Sequence, residues 1–224
     1  MRIAKAISDA GICSRRAAEQ LILEGKVTIN GSVITSPALN VSEEDIIHVN
    51  GKILPSKPML RIWLYHKPPG LITTYNDPQG RPTIFENLPK NMPKVVSVGR
   101  LDLQSEGLLI LTNSGDFARE MELPSSKIKR KYIVKTFGAF DLPKIQATTK
   151  GVTIDGEFFH PESITLLESK GMNSIFEVVL TEGKNREIRK IFGHFGLGIH
   201  KLIRTEYGQY QLGDLKLGHV LEIR

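Results

Sequence analysis

The sequence predicts an α+β protein in two parts: a small N-terminal α/β module, then a larger segment with a mixed, mainly antiparallel central sheet. Three observations predict it. Strand-length apolar runs are interspersed irregularly with amphipathic helical patterns, whereas a regular strand–helix alternation would signal a parallel sheet. Two Asn-Gly pairs, Asn30-Gly31 and Asn50-Gly51, mark tight hairpins near the N-terminus. The stretch Pro55-Ser56-Lys57-Pro58 reads as a short, stiff connector. The expected organisation is a module over residues 1–55, a linker over 56–59 and a main domain over 60–224.

Each element has its own signal. Ile3, Ala6, Ile7 and Ala10 form one helical stripe, and Gly11 stops it. Ser14 is placed to cap a second helix, in which Ala17, Ala18, Leu21 and Ile22 share a face before Gly25 ends it. Val27–Ile29 and Val33–Ile34 flank the first Asn-Gly pair as a hairpin, and Ile46–Val49 leads into the second. Two short helices and small hairpins make a marginal domain by themselves. Beyond the linker, strands are expected at Ile62–Tyr65, Val95–Val98, Leu108–Thr112, Tyr132–Val134, Ile175–Leu180 and Val220–Ile223. Helices are expected near Asp116–Glu122, Leu142–Thr148 and Asn185–Phe195. There is no internal repeat.

Composition narrows the class. With 224 residues, 40% hydrophobic and 24% charged, the chain matches an ordinary globular protein. No apolar run approaches the roughly eighteen residues a membrane helix needs. The opening Met1-Arg2-Ile3-Ala4-Lys5 breaks its apolar residues with charge and reads as helix rather than signal peptide. The single cysteine, Cys13, precludes an internal disulfide and fits a reducing cytoplasm. A net charge of +6 and a pI near 9.4 suggest a polyanionic partner. From Lys127 to Lys135 the chain reads KIKRKYIVK, a basic run with an internal tyrosine. Cations can hold phosphates while an aromatic ring stacks on a base; a solvated basic strand has the same composition. Arg15 and Arg16 open the second helix, where they do not help its dipole, which fits either an external phosphate or plain surface arginines.

Two stretches could carry chemistry. Gly99 to Gly115, GRLDLQSEGLLILTNSG, sets Arg100, Asp102, Ser105 and Glu106 in a polar connection between two buried strands, which puts a carboxylate on a rigid rim. A turn-capping aspartate paired with Arg100 fits that spacing as well. In Thr181 to Phe195, TEGKNREIRKIFGHF, residues Ile188, Ile191, Phe192 and Phe195 form a core-facing stripe, with Arg186, Arg189 and Lys190 on the opposite side. That is a fixed cation array or an exposed basic face. The six histidines lack zinc-like spacing, and the phosphate-loop, dinucleotide-loop and nucleophile-elbow motifs are missing, so no metal or cofactor is expected.

Taken together, these residues resemble the bacterial ribosomal RNA pseudouridine synthase family named for RsuA and RluB. KPPG at Lys67–Gly70, GRLD at Gly99–Asp102 with its SEGLLILTNSG continuation, RKYIV at Arg130–Val134, EGKNREIRK at Glu182–Lys190 and the closing LKLGHVLEIR occur in family order. The first 55 residues resemble the RNA-binding module of ribosomal protein S-four, whose helix start is similar to Ser14-Arg15-Arg16. Glu187 departs from the family pattern, which usually has glutamine there. It would put negative charge near the cation array.

The resemblance implies that a uridine in ribosomal RNA is isomerised to pseudouridine, with the large-subunit RNA favoured by KIKRKYIV and LDLQSEG. Uracil is detached, rotated and rejoined through carbon, without a redox cofactor. Asp102 would be the catalytic carboxylate, either as nucleophile at the ribose C1′ or as the base removing a sugar proton. Arg189 would be its charge-assisted partner, and Tyr132 would meet the flipped uracil. Arg100 would fill the gap left in the RNA; Arg15, Arg16, Lys129, Arg130, Lys131 and Arg186 are the phosphate-contact candidates. The expected partner is ribosomal RNA or an assembling ribosomal particle, not a membrane, and one catalytic set per chain allows a monomer. A non-catalytic RNA-binding or ribosome-assembly factor is the alternative, with a carboxylate-based nucleoside or sugar hydrolase behind it.

Overall fold

The computed structural model describes residues 1–223. These form two compact units: Met1–Arg61 with Asn113–Gly115, and Ile62–Thr112 with Asp116 onward.

In the first unit, α1 (Ile3–Asp9) and α2 (Arg15–Leu23) pack beside strands β1 (Val27–Ile29), β2 (Ser32–Ile34), β3 (Ile47–Val49) and β4 (Lys52–Ile53). Ser14 caps α2 as expected, its hydroxyl accepting from the Ala17 amide at 3.2 Å. Both Asn-Gly pairs adopt the left-handed conformations that a tight hairpin turn requires, with φ of 50° and 84° at Asn30 and Gly31. The strands run in the order β2-β1-β3-β4. Ile3, Ile7, Ala18, Ile22, Val27, Ile47 and Val49 meet in one small core.

The second unit is built on a nine-stranded sheet. Its strands are β5 (Ile62–Lys67), β6 (Val96–Ser97), β7 (Glu106–Thr112), β8 (Arg130–Phe137), β11 (Ser163–Lys170), β12 (Asn173–Leu180), β13 (Gly198–Tyr207), β14 (Tyr210–Gln211) and β15 (Val220–Ile223). A separate hairpin, β9 (Val152–Ile154) with β10 (Glu157–Phe159), lies apart from the sheet. Helices α3 (Gly115–Glu122), α4 (Leu142–Ala147) and α5 (Glu187–His194) complete it. The main strand order is β11-β12-β8-β13-β7-β5-β15. Among the described residues β7 and β13 are the only strands of this sheet that pair in parallel, so it is mixed and mainly antiparallel, as its irregular element order predicts.

Strand β7 is buried along its whole length, the pattern of a strand covered on both faces. One face packs Trp63, Leu109, Leu111, Val134 and Phe176 against Ile145 of α4 and Ile188, Ile191 and Phe192 of α5. The other packs Leu64, Leu108 and Ile110 against Ala118 of α3 and Tyr207. The apolar stripe of α5 thus faces the core. Its start differs from expectation: Arg186, not Asn185, is the N-cap, in a left-handed conformation (φ 53°) and with no side-chain cap. A non-glycine residue held at positive φ costs free energy and is often found at functional sites. Strands β11, β13 and β14 and the β9–β10 hairpin are additions to the expected list.

Candidate functional site

The loop between β6 and β7 leaves the sheet at Gly99 and returns at Ser105. The Ser105 amide donates to the Asp102 carbonyl at 3.0 Å, closing a turn. From below, Lys67 holds this turn in place. Lys67 ends β5 with 0% exposure. Its ammonium donates to the carbonyls of Pro68 (2.9 Å), Ser105 (2.9 Å) and Asp102 (3.1 Å), with Leu103 at 3.5 Å. Burial pulls the Lys67 pKa down to about 8, and Arg204 adds to the fall, whereas Asp102 and Glu106 oppose it. Thr73 Oγ1 donates to the Leu101 carbonyl at 3.0 Å, and the Gly70 amide to that of Leu103 at 2.7 Å. The half-buried Asp102 therefore rides on a backbone fixed from several sides.

Opposite stands the start of α5. Arg189 donates to the Gln104 carbonyl (3.3 Å) and to Ser105 Oγ (3.4 Å), and its Nε is buried without a partner. Burial and the adjacent Arg186 weaken its hold on its proton, and Asp102 strengthens it. The expected direct Asp102–Arg189 ion pair is not formed: no contact within 4 Å joins them among the described residues. The guanidinium is committed to the turn that carries Asp102 and acts on the carboxylate as a nearby charge.

A cavity of about 410 Å³ opens here. Arg100, Asp102, Arg130, Tyr132, Arg186 and Arg189 line it together with Leu202, Arg204 and Tyr207. Strand β8 contributes by alternation: Arg130 and Tyr132 are buried on one face and Lys131 falls between them. Lys131 lies instead beside Glu206 (3.1 Å) and Glu177 (3.7 Å), and these carboxylates raise its pKa. Its ammonium, expected among the phosphate contacts, is held by these two carboxylates and lies outside the cavity lining. Lys129 is exposed, pairs with Glu162 and is also outside the cavity lining. Arg130 is buried, donates to the Tyr207 hydroxyl at 2.8 Å and stacks over that ring, so its donors serve the wall of the site. Arg15 and Arg16 are exposed on α2 in the other unit.

Glu187 also departs from expectation. It is 2% exposed, and neither carboxyl oxygen has a hydrogen-bond partner. Burial, reinforced by the charge of Glu182, pushes its pKa up to about 8, so near neutrality the side chain is protonated and adds no negative charge to the cation array. Glu182 stays ionised: burial works against its charge, but Lys184 (2.8 Å) and the His160 amide (3.2 Å) hold its pKa low. Because the folded Glu187 keeps a proton that the unfolded chain releases near 4.5, stability should fall as pH rises from about 4.5 to 8 and level off above. Glu187→Gln should flatten that decline, as checked by urea unfolding midpoints across the window.

Sequence reasoning missed Arg204, Lys67 and Tyr207. The resemblance quoted Lys67 in KPPG without giving it a task, and Arg204 lies in the unforeseen β13. Among the described residues no group of three metal-ligand side chains is clustered, and no helix is long and apolar enough to cross a membrane.

The model of the RNA pseudouridylate synthase family matches residues 61–194, and that of the S4 domain matches residues 1–47. An uncharacterized RNA pseudouridine synthase of Rickettsia bellii is 54% identical over 222 residues, 99% of this chain and 96% of the relative. Ribosomal large subunit pseudouridine synthase B of Yersinia pestis is 36% identical over 217 residues, 94% of this chain and 68% of the relative. A crystal structure of a pseudouridylate synthase shares the fold at a TM-score of 0.69 and 23% identity, covering 100% of this chain and 96% of that one.

Proposed function

The chain belongs to the RNA pseudouridylate synthase family and is an isomerase, and on that premise we propose that it converts a uridine of ribosomal RNA to pseudouridine, with Asp102 as the catalytic carboxylate. Large-subunit RNA is the favoured substrate, in line with the relative from Yersinia pestis, named as a large-subunit enzyme. Residues 1–55 serve as the RNA-binding module and residues 60–224 as the catalytic domain.

One observation carries this reading: Asp102 stands on a braced turn in the wall of a cavity lined by five arginines and a buried tyrosine. The target uridine leaves its stack and enters that cavity. Unstacking costs a few kcal/mol, which stacking worth about 1–3 kcal/mol against Tyr132 can offset. Asp102 then acts on the ribose, as nucleophile at C1′ or as base. Arg189 keeps the turn in register through Gln104 and Ser105 and supplies a nearby positive charge. Arg100, exposed at the rim, fills the gap in the RNA. Arg186, Arg15 and Arg16 hold phosphates, with Lys129 available once its exposed pair with Glu162 opens.

The reading is tested by tritium release from large- and small-subunit ribosomal RNA carrying 5-³H-uridine. Release that requires the native protein supports it, and binding without release from either RNA would favour the non-catalytic assembly factor. Mapping pseudouridines in ribosomal RNA from cells with and without the gene identifies the uridine. Arg186→Gln should reduce the slope of log affinity against log salt by about one, because one phosphate contact is lost. Lys131→Gln, removing a cation already held by two glutamates, should leave that slope unchanged. Equal slopes for the two variants, measured by filter binding, would contradict this division of labour.

A further inference from the structure

Arg204 is the most buried of the arginines that line the cavity. It is 2% exposed. Its Nε donates to the Leu108 carbonyl at 2.8 Å, and its guanidinium carbon sits 5.0 Å from the centroid of the Tyr207 ring. Its Nη2 is buried and has no hydrogen-bond partner. Among the described residues no carboxylate lies within ion-pair distance of it. A second buried cation, Lys67, lies close enough for the two charges to repel.

A buried guanidinium with an unmet donor and no counter-ion is costly, since desolvation goes uncompensated. The neighbouring Arg130 shows the satisfied alternative, with a donor on the Tyr207 hydroxyl and its face on the ring. The Tyr207 hydroxyl accepts from Arg130 and donates to the Met121 carbonyl, and it makes no bond to Arg204 Nη2. The unmet donor is thus left for a polar group that enters the cavity. Phosphates are unsuited to this position: they stay on the polymer backbone in solvent, where the exposed Arg100 and Arg186 await them. The part of a flipped nucleotide that travels deepest is its base.

We infer that Arg204 is a further substrate-contacting residue, whose Nη2 donates to a carbonyl oxygen of the uracil and stabilises the uracil anion formed when the glycosidic bond breaks. The inference rests on the proposed isomerase reading. The C1′–N1 bond breaks with its electron pair on the uracil, and the charge is shared by O2 and O4. After rotation, C5 forms the new bond to C1′; the C5 proton is lost to water and N1 takes a proton from water, so nothing is consumed. The guanidinium meets most charge after bond cleavage, which makes its interaction stronger in the transition state than with bound uridine. Tyr207 and the Leu108 carbonyl keep it in place beforehand.

The test uses the full-length protein and three synthetic hairpins carrying the mapped target as uridine, 2-thiouridine or 4-thiouridine. Single-turnover conversion is followed by mass spectrometry and folding by Trp63 fluorescence. Arg204→Met should slow conversion of the uridine hairpin on the order of a hundredfold or more while RNA affinity barely changes. Arg204→Lys should recover part of the loss. Sulfur is a poor acceptor, so the deficit of each variant should shrink, by about tenfold, on one of the two thio-hairpins. Equal deficits on all three hairpins, or no deficit, would overturn the inference. Failure of both variants to fold would assign the guanidinium to the framework and overturn it too. A wild-type protein that releases no tritium from either ribosomal RNA instead defeats the reading beneath.

Discussion

Gly107→Ala is expected to destabilise the larger unit more than alanine at any other glycine. Gly107 stands opposite Arg204 where β7 and β13 make their parallel contact. A Cβ built there would lie 2.3 Å from the Arg204 carbonyl oxygen and 2.5 Å from its nitrogen. Both are backbone atoms in the centre of a sheet, so neither can rotate away. The residue also holds a φ of 115°, which L side chains avoid. Positive-φ strain of about 1–3 kcal/mol and overpacking of about 1–3 kcal/mol together suggest a loss of roughly 2–6 kcal/mol. Trp63 is the sole tryptophan and is buried in the larger unit, so its fluorescence during urea unfolding reads that unit alone. An unfolding midpoint equal to that of the parent protein would refute the steric argument. Because Gly107 follows the turn that carries Asp102, the surviving folded fraction should also turn over more slowly.

The same junction marks where sequence reading stops. Local rules sufficed where a residue's own chemistry sets the structure. Ser14 caps because its hydroxyl reaches Ala17, both Asn-Gly pairs turn because they tolerate positive φ, and α5 docks through Ile188, Ile191 and Phe192. Strand β13 was invisible for the opposite reason. His200, Leu202 and Arg204 alternate with Ile199, Lys201 and Ile203, so neither set reads as wholly apolar or wholly polar. Arg204 is buried by a long-range arrangement with Leu108 and Tyr207, and no window of nearby residues announces that. Lys67 is similar: a lysine at a strand end reads as exposed until the Asp102–Ser105 carbonyls converge on it.

The candidate site divides along the same line. The resemblance picked out Asp102, Tyr132, Arg100, Arg130, Arg186 and Arg189, and the fold brings all six to one cavity. It also implied that Arg189 pairs with Asp102, whereas Arg189 Nη2 donates to the Gln104 carbonyl and to Ser105 Oγ. Lys131 sits inside the basic run yet projects to the other face of β8, since a strand reverses direction at every residue.

Asp102→Asn should lower single-turnover pseudouridine formation on the order of 10⁴-fold or more, as removal of a central catalytic group does in well-dissected enzymes. The amide matches the carboxylate in size, so the turn braced by Lys67, Thr73 and Gly70 should keep its form and the Trp63 unfolding midpoint should hardly move. What is lost is the charge and the basic lone pair, which both proposed roles of Asp102 require. RNA affinity should stay level or rise, because a negative charge has been removed from a cavity otherwise rich in arginine. Arg189→Lys provides the graded comparison. It keeps one positive charge near Asp102 but loses the guanidinium Nη2 that donates to both the Gln104 carbonyl and Ser105 Oγ, so the turn loosens without losing its carboxylate. A deficit of about tenfold to a hundredfold is expected there, again in the rate and not in affinity. The ordering discriminates: a carboxylate that only capped the turn would make the asparagine variant the milder of the two, since asparagine caps turns well. Asparagine turning over faster than the lysine variant would remove Asp102 from the chemistry.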